Sequence, residues 1–141
     1  MQFSVNYRSL SVGNKIIDTE HQKLASIIND IAQLLLVNHI VALSVAIKIL
    51  NDSLRDYFVI EENIAQAVNF DFTQHRLAHQ TLLNNFHAIT NKLMSQNGKY
   101  SKLERKDCID SLNGFLIQHI QEDSKPLKIV LGTHLYDFKP N

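Results

Sequence analysis

The sequence predicts an all-α fold, an antiparallel up-down-up-down four-helix bundle with an N-terminal arm and a short C-terminal extension. Three observations carry this. Apolar residues recur at alternating steps of three and four through four long stretches, and none alternates with period two. The connections between these stretches are short, which makes successive helices antiparallel neighbours. Only four Gly and two Pro occur in 141 residues, of which 45% are hydrophobic, so the chain suits one helix-rich domain with a real core. No internal repeat or low-complexity segment interrupts it. One domain is expected over 1–141, divided into an arm (1–15), the bundle (about 16–125) and a tail (126–141).

The arm ends at a Gly13-Asn14 turn signal. Asp18 reads as the N-cap of the first helix, with Glu20 in the first turn, where the helix dipole favours an anion. This helix runs to about Val37 with an inward seam of Ile17, His21, Leu24, Ile28, Ile31 and Leu35. After a turn at Asn38-His39, a second helix spans about Ile40 to Val68. Its seam is Leu43, Ile47, Leu50, Leu54, Tyr57, Glu61, Ile64 and Val68. Asp71 and Gln74 resemble a capping box for the third helix. That seam is Phe72, His75, His79, Leu82, Phe86, Ile89 and Leu93, and it stops at Asn97-Gly98. Ser101 and Glu104 form a second capping-box pattern, followed by the seam Ile109, Leu112, Leu116, His119 and Asp123. Pro126 is expected to end or bend this helix near Lys125. The tail from Leu127 to Asn141 reads as a short helix or coil.

Lys+Arg and Asp+Glu both number 14, so nothing advertises nucleic acid or an anionic membrane as a partner. A single cysteine, Cys108, excludes an internal disulfide framework and fits a reducing compartment; it reads as a structural or idle thiol. The N-terminus lacks a signal-peptide pattern. The most apolar window, Ile31 to Leu50, is broken by Gln33, Asn38, His39, Ser44 and Lys48, which suits two helices meeting at a turn better than a membrane span. A cytoplasmic protein is expected.

The polar interruptions of the seams are not scattered. In the expected topology, the start of the first helix, the end of the second, the start of the third and the end of the fourth share one end of the bundle. Those regions hold His21, Tyr57 with Glu61, His75 with His79, and His119 with Asp123. The other end offers Leu35, Leu43, Leu93 and Ile109. A buried polar group without a partner costs roughly 1–3 kcal/mol, and an ionised one costs more. Imidazoles and carboxylates collected at one level must therefore satisfy one another or a metal ion. Neutral imidazole with carboxylate suits iron or zinc. Taken singly, each residue has an ordinary reading: a hydrogen-bonded core histidine, a half-buried tyrosine, a solvated Glu61-Glu62 face. Convergence is what favours the metal. His39, His87 and His134 fall outside this level and read as surface residues. No glycine-rich phosphate loop and no nucleophile with a neighbouring base is present.

Ordered this way, the residues resemble the hemerythrin family, specifically its single-domain bacterial members. Val12-Gly13 followed by Ile17 to Leu24 is similar to the family's opening motif. Tyr57-Phe58-Val59-Ile60-Glu61-Glu62 is similar to its His-Phe-x-x-Glu-Glu. His75-x-x-x-His79 and His119-Ile120 match its third and fourth helices. The resemblance covers about residues 10–128. It implies a non-heme diiron site that binds molecular oxygen, or another small diatomic ligand, at an open position. The implied ligands are His21, Glu61, His75, His79 and His119, with Glu61 bridging and His21 on the second iron.

Three departures accompany the resemblance. Tyr57 stands where the family has a histidine; as a phenolate it would ligate ferric iron, and protonated it would leave that iron with a single histidine. The position of the bridging aspartate, five residues after His119, holds Ser124, while Asp123, four after it and on the seam, is the candidate for a shifted bridge. Phe115 stands where the family often has tryptophan. The first two weaken the second iron site, so a single iron or zinc is the alternative occupancy. The expected function is a non-enzymatic iron protein that binds or senses oxygen. The alternatives are an iron redox enzyme acting on peroxide or nitric oxide, and a degenerate bundle serving as a structural or interaction module.

Overall fold

A computed structural model of the chain describes residues 11–133. The described residues are helical, with no strand among them. The elements are α1 (Lys15–Val37), α2 (Ile40–Ala67), α3 (Thr73–Ser95), α4 (Lys102–Gln118), a single π-helical turn (His119–Asp123) and α5 (Lys125–Leu131). α1 packs against α2 and α4, and α3 packs against α4 and α2. The expected seams form the core: Ile17, Leu24, Ile28, Ile31 and Leu35 of α1 are buried with Leu43, Leu50, Leu54 and Ile64 of α2. Leu82, Phe86 and Leu93 of α3 and Ile109, Leu112 and Leu116 of α4 complete it. Val68, Ile89 and Phe115 are only partly buried. Cys108 is a buried free thiol.

The helix boundaries correct the sequence reading in three places. α1 is capped by Asn14, not Asp18: the Asn14 side-chain oxygen accepts from the Ile16 and Ile17 amides at 3.0 and 3.1 Å. Asp18 lies one turn inside the helix and holds the arm instead, accepting from the Ser11 hydroxyl at 2.5 Å and the Val12 amide at 2.9 Å. That contact folds Val12 onto the core. Gly13 supplies the turn with φ 79°, a conformation that glycine reaches without a Cβ clash.

The Asp71–Gln74 capping box does not form. Asp71 accepts from the Thr73 amide and hydroxyl, and α3 starts at Thr73 behind a buried Phe72. The Ser101–Glu104 box does form, and Asn97 and Gly98 both take positive φ after α3.

The third correction concerns the end of α4. The helix is already distorted at His119, where a π turn is closed by the Ser124 amide donating to the His119 carbonyl at 2.9 Å. α5 then begins, with Pro126 in its first turn. Proline has no N–H to continue the ladder, and it is well tolerated at a helix start. The break near Lys125 thus falls where Pro126 is expected to put it, and the correction is the π turn that precedes it. The tail is helical as far as Leu131; His134 and residues 134–141, like arm residues 1–10, lie outside the described residues.

Asn14→Ala is expected to lower unfolding stability by about 1 kcal/mol, the usual loss of an N-cap, read from urea denaturation. An unchanged midpoint would show that another residue caps α1.

Candidate metal centre

Helical spacing places the functional side chains. Tyr57 and Glu61 are one turn apart on the inner face of α2, and His75 and His79 are one turn apart on α3. His119 opens the π turn, and His21 comes from the first half of α1. All six are buried, Glu61 and Tyr57 completely.

The Glu61 carboxylate is the centre of the cluster. Its Oε1 accepts from His75 Nε2 and from His79 Nε2, the latter at 2.9 Å, and stands 3.8 Å from His119 Nε2. Its Oε2 accepts the Tyr57 hydroxyl proton at 2.5 Å. The same hydroxyl lies 2.9 Å from His21 Nε2 and 2.7 Å from His119 Nε2. A phenol has one proton to give and two lone pairs to offer. With its proton on Glu61, it is an acceptor toward both imidazoles.

His119 has two orientations of its proton to choose between. Its Nδ1 lies 3.4 Å from Asp123 Oδ2, a long contact at the rim of the cluster. A proton on Nδ1 faces Asp123 and leaves the Nε2 lone pair for the cluster; a proton on Nε2 faces Tyr57 instead. In the metal-free cluster the Tyr57 hydroxyl accepts the Nε2 proton; its shift to Nδ1, beside Asp123, would free Nε2 for an ion.

The electrostatics agree. Burial alone would raise Glu61, but the His75 and His79 hydrogen bonds outweigh it and hold the carboxyl well below its usual range. Burial and the adjacent Glu61 charge raise Tyr57 well above the ordinary phenol value, so it is a protonated donor. Burial pushes the His21 imidazole down to about 4 and also lowers His79, so both rings are neutral near pH 7. Neutral imidazole is the form that binds a metal.

Four donors form one group: Glu61, His75, His79 and His119, with one ligand atom from each, all within 4.8 Å of one another. Ligand atoms about 2.0–2.2 Å from a common ion stand roughly 3–4.4 Å apart, so this group needs only small side-chain adjustments to share one. Three neutral nitrogens and one ionised oxygen fit a divalent transition metal, and the buried Glu61 charge would be answered by it. Stacked aromatic rings fix the donors. Phe58 lies parallel to His79 at 4.1 Å between centroids, and Phe72 packs on His75 at 4.8 Å.

The remaining expected site residues fall around this group. His21 is outside the four-donor set, separated from it by the Tyr57 hydroxyl that bonds both His21 and Glu61. Tyr57 touches Glu61, His119 and His21. Asp123 is partly exposed and meets only the far side of His119. Ser124 is buried close to Tyr57. Glu62 pairs with Arg76 at the surface. His39 caps α2, accepting from the Ala42 amide at 3.1 Å. Sequence reasoning missed the Phe58 stacking on His79; its position three residues before Glu61 was the available signal.

Two outcomes are expected. Tyr57→Phe leaves the Glu61 Oε2 and His21 Nε2 groups without partners, and should cost about 2 kcal/mol or more in chemical denaturation of the metal-free protein. A loss below 0.5 kcal/mol, on the order of a surface change, would contradict the network. The second outcome concerns pH. His21 binds a proton more weakly folded than unfolded, so its contribution is intact above pH 6.5 and fades as pH falls toward 4. The wild type should lose up to about 3 kcal/mol across this window. His21→Gln should flatten the profile; an unchanged slope would contradict a buried neutral His21.

Comparison of the chain with known protein families, with characterised proteins and with solved structures finds no match.

Proposed function

We propose that this chain is a hemerythrin-like metal protein that holds one iron ion at Glu61, His75, His79 and His119 and responds to molecular oxygen or another small diatomic ligand. The observation that carries the reading is the group of four buried donors drawn from α2, α3 and the turn after α4. The mutual packing of the four long helices supports an antiparallel four-helix bundle as the frame. A bound ferrous ion supplies an electron and an open coordination position for a diatomic ligand. The chain's own residues do the rest. Phe58 and Phe72 restrict the two α3 imidazoles, Asp123 orients His119, and Tyr57 holds the second carboxylate oxygen of Glu61.

One ion rather than two follows from Tyr57. Its protonated hydroxyl occupies the space between His21 and Glu61, where the family resemblance implies the second iron. A second reading is favoured by the same residue. The Tyr57–Glu61–His75–His79 contacts close a hydrogen-bond network without any metal, which suits a bundle retained for structure alone.

Metal analysis after anaerobic reconstitution with Fe(II) separates these. The expected result is one iron per chain, lost in His75→Ala, with a visible spectrum that changes on admitting oxygen. No retained metal would leave the structural reading. Tyr57→His should raise the stoichiometry toward two; unchanged stoichiometry would mean that Tyr57 is not what excludes the second ion.

A further inference from the structure

The surface beside the cluster carries a feature that the buried site does not use. A groove of about 560 Å³ runs along the start of α3 and the π turn, with Asp71, Gln74, His75, Glu122, Asp123 and Pro126 in its wall. Three of its lining residues are acidic and none is Lys or Arg. The nearby Arg76 side chain is paired with Glu62. The Thr73 hydrogen bonds hold Asp71 below the usual carboxylate range.

His75 belongs to both places. Its Nε2 donates to Glu61 in the buried cluster, and the residue is also among those lining the groove. Its other nitrogen, Nδ1, is buried and has no hydrogen-bond partner. A neutral imidazole that gives its Nε2 proton to a carboxylate keeps a lone pair on Nδ1, and that lone pair is a metal ligand. Carboxylates of one sign around a concave surface concentrate cations there.

We infer that this groove is a transient binding site for divalent cations, from which they are loaded into the buried cluster past His75. Asp71, Glu122 and Asp123 gather the ion, His75 Nδ1 takes it, and rotation of the His75 side chain admits it to the inner donors. When the inner set takes the ion through Nε2, the His75 proton moves from Nε2 to Nδ1 by way of the groove carboxylates and water, and the ring stays neutral. The inference rests on the metal-binding reading above.

The test is the rate of Co(II) uptake by the full chain, followed by stopped-flow absorbance at several salt concentrations. Glu122 is exposed, outside the buried donor set and free to be changed. Glu122→Lys should slow uptake about tenfold at low salt and flatten its salt dependence, with the same final cobalt per chain. Asp30→Lys, which makes the same charge change on an exposed position of α1, should leave the rate within twofold of wild type. Equal rates for wild type and Glu122→Lys, or equal slowing by both variants, would overturn the loading groove while leaving the buried site standing. No cobalt uptake by the wild type would overturn both.

Discussion

A carboxylate with no access to water has to be answered by donors or by a cation, and Glu61 is such a carboxylate. Leaving it unpaired would cost several kcal/mol, a large fraction of what holds a domain this size together. Its partners come from different parts of the chain. His75 and His79 reach it from α3, Tyr57 from its own helix, and His119 approaches from the turn after α4. Tyr57 passes the connection on to His21 of α1. One buried charge on α2 thus ties the ends of four helices to a common point, and the aliphatic seams align the helices that carry it there.

The arrangement around that charge is asymmetric. On one side stand three imidazoles whose Nε2 atoms approach a single carboxylate oxygen. On the other stands a phenol that neither burial nor the neighbouring charge allows to ionise. A protonated hydroxyl is a hydrogen-bond donor before it is a ligand, and here the proton is committed to Glu61. The π turn accommodates the same asymmetry. Widening the helix by one residue keeps His119 and Ser124 both inside and leaves Asp123 at the rim, beside Nδ1 rather than Nε2 of His119. An acid that α-helical spacing would have put inside the cluster instead stands beside a histidine at its rim.

Most of the frame is legible in the sequence, because a seam with steps of three and four buries one face of a helix and little else competes with it. Glu61, His75, His79 and His119 interrupt such seams, and the short connections bring them to one level. What the sequence hides is finer than a helical turn. Asn14 and Asp18 are both good caps, and only the fold of the arm onto Val12 decides between them. Asp71 has the spacing of a capping box, yet Thr73 offers it nearer donors. Pro126 marks a discontinuity, but the π turn that precedes it has no composition of its own. The position of Asp123 hangs on that turn, since an α-helix would have kept it on the inner seam. His75 Nδ1 and the groove beside it are products of packing, with no periodic trace.

The proposed single ion, held by three imidazoles and one carboxylate with Tyr57 in place of a second ion, has its own spectroscopic signature. X-ray absorption spectroscopy of the iron-loaded protein tests it most directly. The expected coordination shell is nitrogen and oxygen with the multiple scattering of about three imidazoles, and no heavy neighbour. An iron–iron vector at about 3.5–4 Å, the usual spacing of a two-metal site, would contradict it.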